Sequence, residues 1–288
     1  MKYLMKLSFV FMFIFVANSV VAAEIKVGVQ ASRGALKALK RWGELGKYLE
    51  SEVGSTVKIV PLNPAQTINA VAGGEIDYML SNPVLAVALK VKHGAKPIAT
   101  MNKKSGSQFA GVIIAKKGNG ITKASDLKGK KVMGFKFKRS AAAYVFQVKH
   151  LKDKGIDPHK DFAVFKEAKK QDDIVLAVQA GIFDAGFIKS GLLESMSKEG
   201  IKLADFTIID KQNDSLSALH STSLYPSWTM SVLKTAKPAD SDKIKAALLK
   251  LTASSPASKT AKIVGFVEPL SLAKLSDTLK SLNLPPFN

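Results

Sequence analysis

Residues 70–77 read Ala70-Val71-Ala72-Gly73-Gly74-Glu75-Ile76-Asp77, and residues 177–184 read Ala177-Val178-Gln179-Ala180-Gly181-Ile182-Phe183-Asp184. In both, a helical ending meets glycine and then an apolar run that carries an aspartate. Upstream of the first copy, Glu24-Ile25-Lys26-Val27-Gly28-Val29 alternates as a strand. A loop over residues 30–34 then leads to a helical stretch, 35–53. Its Leu36, Leu39, Leu45, Leu49 and Val53 fall roughly on one face, and Gly54 closes it in the usual position after a helix. Val57-Lys58-Ile59-Val60 is the next strand, residues 66–72 a short helix and residues 76–80 a third strand. Ser81-Asn82-Pro83 starts another helix, with Asn82 as N-cap and Pro83 as first helical residue.

The order recurs downstream. Residues 131–135 form a strand, the basic loop 136–139 leads to Ser140 as a helix cap, and a helix runs over about 141–154 to Gly155. Residues 162–165 form a strand, Asp172 or Asp173 caps a helix through Val178, residues 182–188 form a strand, and Lys189-Ser190-Gly191 opens the next helix. Val27 lies 50 positions before Asp77, and Val132 lies 52 before Asp184. Structural duplication and mere convergence both produce helix–glycine–strand; the matched spacing favours duplication. Alternating strands and helices imply mostly parallel sheets flanked by helices. The expected architecture is therefore α/β in two similar lobes, with residues 24–113 plus 220–288 forming the first and 114–219 the second. Residues 107–115 and 219–228 are the candidate crossovers, and paired crossovers make a hinge. Helical stretches over 241–252 and 270–282 are expected to pack back onto the first lobe.

The 288 residues hold 43 Lys+Arg, 23 Asp+Glu and no Cys, for a formal charge of +20. Lacking Cys, the chain has no disulfide, Cys-ligated metal, thiol nucleophile or lipidated cysteine. Four scattered histidines form no HxxxH pair, so no metal or cofactor is expected. The positive surplus is nearly even: +6 over 24–113, +7 over 114–210 and +5 over 211–288. A nucleic-acid binder concentrates charge on one face or arm, so no nucleic-acid partner is expected. The even surplus reads either as a solvated basic surface or as a diffuse field that draws small anions. Lys2 and Lys6, the apolar run 7–16 and the small residues Val21-Ala22-Ala23 follow the order of a cleaved secretory signal peptide over 1–23. The expected mature chain begins near Glu24, outside the cytoplasm. GxSxG, HExxH, Walker A and GxGxxG are absent, and an enzyme is not expected.

Ligands of open parallel sheets sit beyond the carboxyl ends of the strands, where helix N-termini offer free N–H groups to anions. That places Ser81, Asn82, Ser140, Ala141 and Ser190 at helix starts, and Arg33 and Arg139 just before them as oxyanion partners. Each has a plain structural reading beside it: Ser140 and Asn82 as caps only, the arginines as solvated. Asp184 either meets a ligand's cationic group or holds its own loop, and its duplicate Asp77 supports the loop role. Tyr225 and Trp228 either wall the cleft or pack the hinge.

Several segments resemble the periplasmic phosphate/phosphite/phosphonate-binding components of ABC importers. They are Trp42…Tyr48-Leu49, Gly74-Glu75-Ile76-Asp77-Tyr78…Ser81-Asn82-Pro83, Gly111-Val112-Ile113-Ile114, Asp126-Leu127-Lys128-Gly129-Lys130-Lys131-Val132 and Leu224-Tyr225-Pro226-Ser227-Trp228. The Asp-Leu-Lys-Gly-Lys run is common to type II periplasmic binding proteins. The last segment is also similar to sensor modules of histidine kinases, as in tetrathionate sensing. The resemblance implies a clamshell that closes on a small oxyanion such as phosphate, phosphite or a phosphonate and delivers it to a permease. It also implies that a Ser/Thr-rich turn contacts the anion; the matching residues here are Arg139-Ser140-Ala141-Ala142. A His-Asp pair frequent in the family is replaced by Gln171-Asp172. The alternative function is a stand-alone receptor for an oxyanion, for example of sulfur, that partners a histidine kinase. A monomer is expected in either case.

Overall fold

A computed structural model describes residues 24–32 and 34–288. The expected signal peptide and Arg33 lie outside the described residues. The first half runs β1 (Ile25–Gln30), α1 (Ala35–Val53), β2 (Val57–Leu62), α2 (Pro64–Ala72), β3 (Tyr78–Ser81), α3 (Pro83–His93) and β4 (Lys96–Asn102). Then come β5 (Gln108–Phe109), β6 (Gly111–Lys116), β7 (Lys131–Phe135), a π-helical turn (Ala141–Val145), α4 (Phe146–Lys152), α5 (Pro158–Asp161), β8 (Val164–Ala168), α6 (Gln171–Gln179), β9 (Ala185–Lys189), α7 (Leu192–Ser197) and β10 (Phe206–Ile208). The chain closes with β11 (Tyr225–Pro226), β12 (Thr229–Val232), α8 (Pro238–Lys250), α9 (Pro256–Ala261), β13 (Gly265–Val267) and α10 (Ala273–Ser281).

Two sheets result, ordered β13-β4-β12-β3-β1-β2 and β10-β6-β9-β7-β8. In the first, β1 pairs in parallel with β2 and β3; in the second, β7 pairs in parallel with β8 and β9. Antiparallel β12 flanks β3, and antiparallel β6 flanks β9. The repetition reaches single atoms. Lys26 N donates to Asp77 Oδ2 at 2.8 Å while Asp77 N donates to Lys26 O at 2.9 Å. Lys131 N donates to Asp184 Oδ2 at 2.7 Å while Asp184 N donates to Lys131 O at 2.9 Å. Three residues before each aspartate the chain turns through positive φ, at Gly74 (67°) and Gly181 (75°). Glycine takes that conformation without a Cβ penalty, so the motif that opened the sequence reading is one turn used twice.

The crossings fall within the expected segments, 107–115 and 219–228. β5 and β11 pair as a two-stranded ribbon, Tyr225 against Phe109 and Pro226 against Gln108. Beyond it each arm feeds the opposite sheet: β6 enters the second and β12 the first. Residues 111–113 therefore belong with the second lobe, as do Ser221 and Thr222, whose hydroxyls accept from Ile113 N and Gly111 N. The physical reason is that Val112, Ile113, Ile114 and Ala115 are all fully buried. A strand apolar on both faces fits the middle of either sheet, and local sequence does not choose between them.

α8 and α9 do cover the first lobe, with Ile244, Leu248 and Ala257 packed in one cluster with Trp42, Leu45 and Leu49 of α1. Burying each such leucine or isoleucine contributes about 1.5–3 kcal/mol. α10 behaves otherwise. Leu275 and Leu279 share a cluster with Val84 and Val87 of α3 and with Ile113, Val132 and Phe187 of the second sheet. The last helix thus joins the lobes instead of covering only the first. Among the described residues, no helix is long and apolar enough to cross a membrane.

Candidate functional site

The carboxyl ends of β1 and β3 lie toward the crossover, and so do those of β7 and β9, because Gly111, just past the ribbon, pairs with Lys189. Loops from both lobes meet there. Lys136 Nζ, after β7, donates to Ser32 O, after β1, at 3.3 Å.

On the first lobe, the strand ends carry a polar row. Thr229 of β12 pairs with Ser81 on one side and Thr100 on the other, and all three are fully buried. Thr100 Oγ1 accepts from Leu270 N at 2.9 Å, whereas Ser81 Oγ has no hydrogen-bond partner. Asn82 caps α3, its Oδ1 accepting from Val84 N at 2.9 Å and Leu85 N at 3.1 Å. Its own N–H donates to Oε1 of buried Gln30 at 2.8 Å. Asn82 is thus spent on the helix start, while Ser81 keeps an unused hydroxyl beside it.

On the second lobe, Ser140 makes no side-chain cap. Its N–H donates to Lys136 O at 2.9 Å. The helix then opens as a π turn in which Val145 N reaches back to Ser140 O and Phe146 N to Ala141 O. Ala142 (φ −101°, ψ 23°) and Ala143 (φ −141°, ψ 21°) depart from helical geometry. Among the described residues, no acceptor is recorded for the amides of residues 141–144. The alanine run, which replaces hydroxyl residues, is buried throughout. Methyl-sized side chains let this backbone lie close against β6 and β9.

Three cations not singled out in the sequence reading gather at the same end. Lys189 ends β9. Lys103 follows β4 and is held by paired hydrogen bonds with Gly106. Arg41 of α1 places its guanidinium carbon 4.5 Å from the Trp42 ring centre and 5.7 Å from that of Trp228, and donates to Ala261 O at 3.1 Å. Burial, then the charges of Lys189 and Arg41, push the Lys103 ammonium down to about 8. No spacing rule distinguishes these three among 43 basic residues; their convergence is tertiary. Trp228 serves as a shelf for Arg41, joining the cleft wall to α1.

Other expected site residues lie elsewhere or are already engaged. Asp184 stands at the amino end of β9, clipped to Lys131 as described, with its carbonyl accepting from Asn119 Nδ2. It is at the far end of the sheet from Lys189, so the loop-holding role is the one its geometry serves. We expect Asp184→Ala to cost about 1 kcal/mol of stability in urea unfolding and to leave anion affinity unchanged by calorimetry. Ser190 Oγ accepts from Ala110 N at 3.1 Å and Ser190 N donates to Ala110 O, fastening β9 to the crossover. Tyr225 stacks on Phe146 with ring centres 4.0 Å apart and bonds Thr278 through its hydroxyl. It lines a groove of about 570 Å³ between α4 and α10 rather than the loops at the strand ends. Arg139 is exposed. Gln171 Oε1 accepts from Lys189 N at 3.0 Å, which brings the Gln171-Asp172 pair to the site edge.

With this geometry in place, the comparisons decide the family. The model for the periplasmic substrate-binding protein of phosphonate ABC transporters matches residues 27–272. The chain belongs to that family. It is a family of periplasmic substrate-binding proteins rather than of enzymes, and its two-lobed type II fold is the one found here. A curated relative, the tetrathionate sensor histidine kinase TtrS of Salmonella typhimurium, is 29% identical over 236 residues, 80% of this chain. The match spans only 40% of that kinase's length. Among solved structures, XAC2383 from Xanthomonas citri bound to ATP has a TM-score of 0.75 at 18% identity, covering 91% of this chain and 98% of that one. PhnD1 from Prochlorococcus marinus in complex with methylphosphonate has a TM-score of 0.68 at 14% identity, with 90% and 98% covered. At those identities the shared property is the fold.

Proposed function

We propose that this family member captures a small oxyanion, a phosphonate, phosphate, phosphite or sulfur oxyanion, between its two lobes and delivers it to the permease of an ABC importer. The observation that carries this reading is the π turn at residues 141–144. The amides of residues 141–144 have no protein acceptor among the described residues, and on the other lobe Ser81 has a buried hydroxyl without a partner. Backbone amides stabilise an oxyanion without a matching charge. Ser81, Ser140 and Ala141 are the expected residues that this reading keeps, with Asn82 and Ser190 shaping the walls. Arg139, exposed just before Ser140, stays a candidate oxyanion partner, and Arg33, outside the described residues, stays one on its sequence alone. The Lys136–Ser32 contact closes the mouth from both sides, so a bound anion favours the closed form by its differential contacts. In this reading the chain is a monomer, exported with residues 1–23 removed and acting in the periplasm without nucleic acid.

The kinship to TtrS favours one alternative, a receptor that presents its oxyanion to a separate histidine kinase. Calorimetry with inorganic phosphate, methylphosphonate, thiosulfate and tetrathionate, with X-ray scattering before and after saturation, tests the shared claim. We expect one of the four to bind and the radius of gyration to fall; no heat with any of them would sink it. Stimulation of a reconstituted permease's ATP hydrolysis, against stimulation of kinase autophosphorylation, separates the two partners.

A further inference from the structure

Alanine side chains give the turn at 141–143 little to hold it by, and the first long side chain in it is Tyr144, which is buried. The Tyr144 ring packs among aromatic rings of the second lobe. Its centre lies 4.8 Å from that of Phe137, in the basic loop after β7, and 6.0 Å from that of Phe165 of β8, at an interplanar angle of 11°. Phe137 stacks on Phe165 at 4.4 Å and lies on Gly134, where a Cβ would sit 2.8 Å from its Cε1. Phe137 N donates to Glu167 Oε2 at 2.7 Å, and the lysines on either side, Lys136 and Lys138, have φ of 44° and 66°. Lysine is strained there, so the ring stack and the Glu167 bond hold the loop in place. One polar contact completes the group: Tyr144 Oη and His159 Nε2 of α5 are 2.7 Å apart. A phenol shut off from water needs an acceptor for its proton, and a neutral imidazole supplies one. Burial, then the charge of Asp157, pushes the Tyr144 hydroxyl up to about 12. Desolvation, opposed by Asp157 and helped by Lys152 and Lys138, pushes His159 below the ordinary histidine value.

We propose that His159, acting through the Tyr144 hydroxyl, is a positioning residue of the anion site: their bond keeps the 141–144 turn wide and its amides free for the ligand. This rests on the oxyanion reading above and deepens it. In the wide turn Ser140 O accepts from Val145 N, five residues on. An ordinary α-helix would give that carbonyl to Tyr144 N instead, four residues on, and the amide would be lost to the ligand. Two side chains resist that tightening. Gln147 Nε2 holds Ala142 O from the sheet side at 3.0 Å, and Tyr144, fixed at its tip by His159, holds the following turn. Amides already in place when the anion arrives spare binding the cost of ordering them. The same ring stack fixes Phe137, and with it the loop that carries Lys136 to Ser32. His159 itself is exposed, so replacing it leaves the core packing untouched.

The test uses the full mature protein in calorimetry with inorganic phosphate, methylphosphonate, thiosulfate and tetrathionate at about pH 7.5, beside amide exchange of the ligand-free protein. Tyr144→Phe and His159→Leu are each expected to weaken the anion that binds by about three- to tenfold, and the double variant by no more than the worse of the two. His159→Gln, which keeps an acceptor, is expected to stay within about twofold of the parent. The amide of residue 144 is expected to exchange more slowly in the two weakened variants than in the parent or His159→Gln, because it has taken up Ser140 O, while β1–β3 stay unchanged. Unchanged affinity in Tyr144→Phe overturns the assignment. So does a loss in His159→Gln equal to that in His159→Leu, or additive losses in the double variant. Faster exchange throughout the second lobe also overturns it, since that marks a purely structural bond. Binding of none of the probes to the parent sinks the oxyanion reading, and the exchange of residue 144 then decides by itself whether the bond holds the turn wide.

Discussion

Gln147→Glu is expected to lower stability by about 3–5 kcal/mol, although it exchanges one atom. Gln147 is fully buried, and its Nε2 donates toward Ile188 O (2.9 Å), Ala142 O (3.0 Å) and Val112 O (3.2 Å). It lies flat on Gly111, where a Cβ would sit 2.5 Å from its Cδ. One amide thus ties together β6, β9 and the π turn that presents the free N–H groups. A carboxylate in that place points lone pairs at three carbonyl oxygens. The variant's carboxyl will be driven up in pKa by burial, so it is expected to unfold more easily at pH 8 than at pH 5. Protonation restores one donor, and the stability present at low pH is lost as pH rises. Urea titrations at the two pH values measure this. Equal stability at both, or a loss below about 1 kcal/mol, would show that the amide is not the clamp described.

Gly265→Ala is expected to cost about 3 kcal/mol or more and to weaken anion binding from a distance. Gly265 has φ 140°, and a Cβ there would lie 2.3 Å from Leu251 O, the residue that ends α8. The obstruction is backbone, so no rotamer relieves it, and the strain adds to the clash. β13 would have to shift against β4, where Gly265 pairs with Asn102, the neighbour of Lys103. Amide exchange should quicken across β13 and the end of β4 while β7–β9 stay protected; uniform exchange across both sheets would contradict this route.

These two residues mark where local reading stops. Gln147 looked like one polar residue in a helix, and Gly265 like one glycine among 20. Their roles come from Val112 and Ile188, or from Leu251, which no nearby pattern announces. The Asn82-Pro83 helix start, by contrast, was legible, because a cap is a contact between a residue and the amides two and three positions ahead of it. Ser140 looked equally good as a cap. It failed because the sheet, through Gln147, holds the next turn wide, and tertiary contacts override the local preference. Of the expected site, Ser81 and the 140–141 turn fall at the strand ends. Asp184 lies at the opposite end of its sheet, and Tyr225 lines another groove. The antiparallel strands β4, β10, β12 and β13 also escaped the reading; β10, β12 and β13 hold only three or four residues each and leave little periodicity to detect.

By itself, the sequence determined the doubled α/β unit, its Gly-turn-Asp clips and the Asn82-Pro83 helix start, and its motifs pointed to the family. Those features depend on interactions between near neighbours or on a pattern repeated within one unit. Only the tertiary structure decided which sheet receives β6 and β12, why the alanine turn opens its amides, and which cations of the even positive surplus converge. Each of those depends on contacts between residues tens to hundreds of positions apart, and a strand buried on both faces or a lysine in a loop carries no local mark of its partner.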